Sequence, residues 1–291
     1  MQKYLKFIFL VILAFIWGSS FILIKEGLKG FSPTQLACIR LAFAGISLLP
    51  FTIKYLKQLK KSDATALIVV AIFGNGIPAF LFAYAQTKMG SATTGMLNSL
   101  VPMFTLITGF ILFQIRPPKE KIVGVLLGLV GAILLIYSSK GDTDGDFLYG
   151  GLVVFATVCY AVSVNTLKVK LGHLPPLMTA AIPISIAMIP MLIYLIGFEP
   201  ISGLGEMTLQ TKKSLGAIAI LGVGGTALAM IIFNKLIIMS NAIFASSVTY
   251  LIPVVALLWG FLAGESINMF HIFGLVTVLM AVYLINKKVK S

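Results

Sequence analysis

Ten times along this chain a predominantly apolar run of about 17–24 residues is closed by a short polar stretch. The runs are Leu5–Ile24, Pro33–Ile53, Ala64–Gln86, Ser91–Phe113 and Ile122–Ser138, then Phe147–Thr166, Pro175–Phe198, Leu215–Ile238, Ala242–Leu262 and Met269–Ile285. At about 1.5 Å per residue, a helix of that length crosses a hydrocarbon layer of about 30 Å. Lipid offers no partner to a backbone N–H or C=O, so spans of this length must be helices. The expected architecture is an all-α membrane protein with ten transmembrane helices.

Composition agrees. Hydrophobic residues make up 59% of the chain, charged residues only 11%, and the mean hydropathy is +1.04. A soluble domain carries about 25% charged residues. The net charge of +13 does not signal nucleic acid, because the basic residues sit in short loops between apolar runs, where they orient membrane proteins. The apolar start behind Lys3 and Lys6 is too long, and too quickly followed by further runs, for a cleaved secretory signal. Cys38 and Cys159 each lie within an apolar run and are expected as small core residues rather than as a disulfide or metal site.

The chain also repeats itself. The fourth run carries Ser91, Gly95, Asn98, Pro102, Thr105 and Gly109 on one helical face. An offset of 151 residues carries Pro102 onto Pro253, Asn98 onto Thr249 and Gly109 onto Gly260. It also carries Asn75 onto Thr226 and Phe82 onto Phe233 in the preceding runs. A proline in mid-helix removes a hydrogen bond and crowds the preceding turn, so a kink is expected at Pro102 and again at Pro253.

With the N terminus in the cytoplasm, fourteen basic residues fall on the cytoplasmic side and six outside, with Arg40 and Lys235 left out as embedded. That bias favours both termini inside. Five spans per half is an odd number, so the second half, 142–291, is expected to be inverted relative to the first, 1–141. Inverted repeats around a central cavity belong to transporters, whose substrate sites lie near the midplane where the repeats meet.

Trp17-Gly18-Ser19-Ser20-Phe21 with Lys25, Arg40-Leu41-Ala42-Phe43-Ala44, the paired Pro102 and Pro253 helices and Gly264-Glu265 together resemble the EamA-type drug/metabolite transporters over nearly the whole chain. The resemblance implies two inverted five-helix repeats, a central cavity and movement of small metabolites or toxic compounds, often outward. The sequence departs from the pattern at Gln114, which stands where the first repeat usually has a glutamate.

Candidate cavity residues follow from depth and face. Trp17 lies about 18 Å along the first helix, too deep for a headgroup belt, and Ser20 shares its face. Trp259 lies near a helix end and fits the belt. Asn75 and Phe82 in the third span, Asn98 and Thr105 in the fourth, Thr226 in the eighth and Thr249 in the ninth form a polar stripe drawn from both halves. As plain interhelical glue such groups contribute about 0.6 kcal/mol each; as cavity wall they would meet a substrate. Tyr84, Tyr160 and Tyr250 could add wall area or simply pack. Arg40 lies about 10 Å inside its helix end and either faces a cavity or partner, or snorkels. Lys25, at the end of the first span, is expected at the interface.

No acid lies deep in a span, since Glu26, Glu199 and Glu265 are near ends, which favours facilitated or substrate-driven movement over proton coupling. No metal, cofactor or nucleic-acid site is expected; the partners are a small-molecule substrate and the lipid bilayer. Gly124, Gly128 and Gly131, with Gly274 in the last span, allow close helix approach, within the protomer or in a homodimer. Pro183 and Pro190 are expected to bend the seventh helix into a possible gate. The leading function is export of amino acids or similar small solutes by alternating access across the inner membrane. Efflux of aromatic or cationic toxicants, a channel and a polytopic membrane enzyme are the alternatives.

Overall fold

The computed structural model describes residues 2–115, 120–138, 146–198, 208–239, 245 and 248–286. The basic loop residues Arg116, Lys119, Lys140, Lys287, Lys288 and Lys290, on which part of the orientation argument rests, lie outside that set, as does Glu199.

Every described element is helical. We number the helices by span. α1 is Gln2–Gly27 and α2 is Pro33–Leu56. α3 joins Lys61–Ala71, a π-helical segment Ile72–Gly76 and Ile77–Ala85. α4 joins Ser91–Leu97, a 3-10 turn Asn98–Leu100 and Val101–Phe113. α5 is Glu120–Ser138, α6 is Asp146–Lys170 and α7 is Pro176–Gly197. α8 joins Leu209–Ile220, the π-helical Leu221–Leu228 and Ala229–Met239. α9 is Val248–Leu262 and α10 is Met269–Asn286. Seven of these spans have the length and hydropathy to cross a membrane, and three shorter apolar helices fall in α5, α9 and α10. Their outer faces expose large apolar side chains in rows, such as Phe7, Val11 and Phe15 on α1 and Ile122, Leu126 and Ile133 on α5. Patches of that extent are not left to water. This is a multi-pass membrane protein.

Local chemistry explains the helix ends. Ser32 Oγ accepts from Gln35 N and Gln35 Oε1 accepts from Ser32 N, both at 3.1 Å, a reciprocal capping box with Pro33 in the first turn of α2. Thr208 caps α8 by accepting from Thr211 N at 3.1 Å. The break in α4 comes one turn before Pro102. The proline has no N–H for the Asn98 carbonyl four residues back, so Val101 N–H takes that carbonyl instead and tightens the turn to 3-10. Ser91–Leu100 is buried at every position, which makes this half of α4 the centre of the bundle.

Helix pairing follows the repeat. α1 packs on α8 and α9, and its counterpart α6 packs on α3 and α4; α2 packs on α8, and α7 on α3. α2 and α7, and α5 and α10, pair with each other. Ser91 at the start of α4 touches Glu265 just past the end of α9, so these two matched helices run in opposite directions.

The glycine faces of α5 and α10 meet within one chain. A Cβ on Gly131 would lie 2.7 Å from Val278 Cγ2, one on Gly274 2.7 Å from Leu135 Cγ, and one on Gly128 2.7 Å from Met103 Sδ. A homodimer through these faces would have to displace that packing. α7 runs unbroken through Pro183 and Pro190.

Gly131→Leu is therefore expected to destabilise the bundle by about 1–3 kcal/mol through overpacking. Gly151→Ala in α6, where nothing lies within 4 Å of the added Cβ, should be neutral or stabilising by about 0.5–1 kcal/mol. Thermal unfolding in detergent checks both, and equal effects would contradict the packing described.

Candidate functional site

One cavity of about 130 Å³ lies between α1, α2, α3, α4, α6, α8 and α9. Among the described residues, none of α5, α7 or α10 lines it, so α7, where a gate was expected, lies outside the wall.

The two π-helical segments each bring one polar side chain to the wall, Asn75 and Thr226. A π turn disturbs the regular backbone ladder and is frequent at functional sites. In α3, Asn75 Nδ2 donates to the Val70 carbonyl at 3.3 Å; in α8, Thr226 Oγ1 donates to the Leu221 carbonyl at 3.1 Å. Each bond reaches five residues back, and the two pairs are related by the 151-residue offset. The Gly225 carbonyl accepts from Trp17 Nε1 at 3.1 Å, so the α1 tryptophan is held by the α8 irregularity. Gly74 and Gly225 admit a serine each: a Cβ on Gly225 would lie 2.9 Å from Ser20 Oγ, and one on Gly74 would collide with Ser163 Oγ.

Elsewhere the wall carries aliphatic and hydroxyl side chains, a group of aromatic rings and, among the described residues, one cation. Trp17 meets Phe233 edge-on with centroids 5.0 Å apart, and Phe82 stacks on Tyr160 at 5.8 Å. Arg40 reaches in from α2 and its Nε donates to Thr226 Oγ1 at 2.9 Å. Asn98 sits at the 3-10 break of α4, and its Oδ1 is buried without a hydrogen-bond partner. Thr105 donates to the Val101 carbonyl at 2.8 Å, and Thr249 lines the cavity from α9.

All the residues singled out from sequence therefore lie on this wall except two. Tyr84 is 43% exposed and its hydroxyl pairs with Thr34 Oγ1 at 2.8 Å, near the α2 start. Its position two residues past Phe82 turns it away from the helix's inward face. Tyr250 lies in α9, and its side chain is outside the described set.

Phe21, Gly74, Ser163 and Gly225 line the cavity and were not anticipated. Ser163 had a signal: an offset of 143 residues carries Trp17, Ser20 and Lys25 of α1 onto Tyr160, Ser163 and Lys168 of α6. The glycines are legible only through the helix crossings that need them.

The helix ends are tied together. Trp259 Nε1 donates to Ser19 Oγ at 2.8 Å and links α9 to α1. Lys25, expected at the interface, is paired there: its Nζ lies 2.7 Å from Glu265 Oε1. The same carboxylate accepts from Ser91 N at 2.8 Å, Ser91 Oγ at 2.7 Å and Ala92 N at 3.0 Å. Gly90, which precedes α4, has no side chain to cap it, so Glu265 supplies the cap from across the bundle. Burial pushes the Glu265 carboxyl up, but the Lys25 ammonium and then the Ala92 and Ser91 donors outweigh it and hold it below the usual 4.5.

A multi-pass helical bundle with a cavity lined from both halves has the form of a membrane transporter. The chain belongs to the EamA-like transporter family, which matches it twice, over residues 5–137 and 149–287. An uncharacterized transporter of Archaeoglobus fulgidus is 26% identical over 97% of this chain and 99% of its own length. The uncharacterized inner membrane transporter YedA of Escherichia coli K12 is 27% identical over 93% of this chain and 87% of its own. A protein of known crystal structure shares the fold with a TM-score of 0.63 at 16% identity, covering 97% of this chain and 94% of that one.

Because its pKa is lowered on folding, Glu265 contributes stability that is fully present above about pH 4.5 and is lost as pH falls through the lowered value. Wild type should lose thermal stability on acidification below that point, and Glu265→Gln should lose less. An unchanged acid slope in Glu265→Gln would sink this assignment. At neutral pH, Glu265→Ala should cost about 1.5–3 kcal/mol and Lys25→Ala about 0.2–1 kcal/mol, since Lys25 is partly exposed and the helix-capping bonds survive its loss.

Proposed function

We propose that this chain is a carrier that moves a small organic solute across the cell's inner membrane by alternating access of the cavity, exporting amino acids or similar metabolites. The observation that carries the reading is the equivalence of Asn75 and Thr226: both halves place a π-helical turn and a polar side chain against one cavity. A midplane site between repeats needs matched positions of this kind. In this reading 1–141 and 142–291 are two inverted five-helix repeats, and the fourteen-to-six distribution of basic residues puts both termini in the cytoplasm. The polar stripe and the aromatic walls bind the solute. Among the described residues the wall contains no carboxylate, which favours movement down a gradient without proton coupling.

Efflux of aromatic toxicants is the second reading, favoured by Trp17, Phe82, Tyr160 and Phe233 on the wall. Cationic compounds fit less well, because Arg40 would repel them.

The test is counterflow of a labelled amino-acid panel into liposomes holding the protein, with and without a pH gradient. Saturable exchange, indifferent to the gradient and reduced about tenfold or more in Trp17→Ala, is expected. A flux that does not saturate would indicate a channel, and exchange driven by the gradient would overturn the uncoupled mechanism.

A further inference from the structure

The cavity has two ends that match in position and differ in chemistry. Ile24 of α1 and Leu167 of α6 both line it, and the offset of 143 residues carries the first onto the second. The next residues, Lys25 and Lys168, are matched in the same way. α1 packs on α9 as α6 packs on α4. α9 and α4 end in the same turn: Glu265 N donates to the Gly260 carbonyl at 2.9 Å, and Gln114 N to that of the matched Gly109.

At the Ile24 end that turn presents a carboxylate. Glu265 is seated between two glycines, where a Cβ on Gly90 or Gly260 would lie 2.8 Å from Oε2. It accepts four bonds, from Lys25, Ser91 twice and Ala92, and all four join the second half of the chain to the first. His271 of α10 adds a further tie, its Nε2 3.0 Å from Thr93 Oγ1. At the Leu167 end the turn carries neutral Gln114, which is exposed, and no described ion pair includes Lys168. The side-chain bonds described there between α4 and α6 come from one amide. Asn165 Nδ2 donates to the Thr105 carbonyl at 2.8 Å and to Thr108 Oγ1 at 2.9 Å. Hydrogen bonds to an ionised group are about twice as strong as neutral ones. Parting Glu265 from α4 also strips the cap from a buried helix start. Separating the halves therefore costs more at the Ile24 end.

We propose that Glu265 is the latch of a gate: its bonds to Lys25, Ser91 and Ala92 keep the cavity shut at the Ile24 end, so the unloaded protein opens at the Leu167 end. In the orientation proposed above that end is cytoplasmic, the side from which an exporter takes its cargo. Gln114 makes the device one-sided, since a carboxylate in its place would give the other end a latch of its own. The inference rests on reading the cavity as the transport site.

Spin-label distances test it, read by double electron–electron resonance on the full chain in nanodiscs, with the buried Cys38 and Cys159 replaced by alanine. Lys29→Cys with Ser266→Cys reports the Ile24 end, and Lys170→Cys with Ile115→Cys the Leu167 end; all four positions are exposed. Wild type should show a longer-distance population at the second pair well above that at the first. Glu265→Gln should raise the open-to-closed ratio at the first pair about tenfold or more. Lys25→Met, which leaves the helix cap in place, should raise it about threefold. In both variants the long population at the second pair should fall as that at the first rises, which plain loss of packing would not produce. Gln114→Glu should lower the long population at the second pair about threefold or more. The proposal is overturned if wild type is equally open at both ends, if neither Glu265→Gln nor Lys25→Met lengthens the first pair, or if Gln114→Glu leaves the second unchanged.

Counterflow of the labelled amino-acid panel separates this failure from that of the carrier reading. Saturable exchange, with both distances indifferent to Glu265→Gln, would remove the latch and leave a carrier. The expected shifts in distance with no saturable exchange would remove the carrier and leave a latched bundle.

Discussion

Inside a hydrocarbon layer every backbone N–H and C=O needs a partner from the protein itself, and the rest of this structure is arranged around that requirement. Regular helix meets it automatically, so irregular backbone is confined to places where something else meets it. The described interruptions of the spans are the π-helical turns of α3 and α8 and the 3-10 turn of α4, and residues of all three line the cavity. Asn75 and Thr226 bond carbonyls five residues behind them, Trp17 bonds the Gly225 carbonyl, and Val101 takes the carbonyl that Pro102 leaves open. The irregular turns thus bring Asn75, Asn98 and Thr226 to the cavity, beside polar side chains such as Ser20 and Thr105 that regular helix supplies.

The same requirement explains Glu265. The start of α4 is buried, so its first N–H groups cannot turn to water, and a glycine stands where a capping side chain would be. A carboxylate from beyond α9 fills the gap and brings Lys25 with it, joining the ends of α1 and α9 to the start of α4. The 151-residue offset places Gln114 opposite Glu265, and Gln114 ends α4 in the left-handed conformation, with φ of 56°. The two halves therefore differ in charge: Gln114 stands where the other half has Glu265, and Arg40 has no basic counterpart in α7.

Much of the site was legible in advance because it depends on quantities the sequence carries directly. Asn75 and Thr226 announce themselves as polar residues in apolar runs at matched positions, and depth along α1 separates Trp17 from a headgroup belt. Tyr84 shows where such reasoning ends. It lies only two residues beyond Phe82, yet that interval turns a helical side chain through more than half a circle, from the cavity to a bond with Thr34. Trp259 shows another limit: its depth suggests a belt, but that its indole reaches Ser19 follows only from the crossing of α9 over α1.

By itself the sequence determined the all-helical membrane fold, the apolar runs, the repeat and the polar stripe, because the cost of exposing polar groups to lipid acts on each residue where it stands. Only the tertiary structure decided which of those residues face one another. The Lys25–Glu265 link spans 240 positions and the Arg40–Thr226 bond 186, and each depends on helix rotation and crossing, which no local pattern encodes. The orphan oxygen of Asn98 is of the same kind, since a missing partner is visible only once every neighbour is in place.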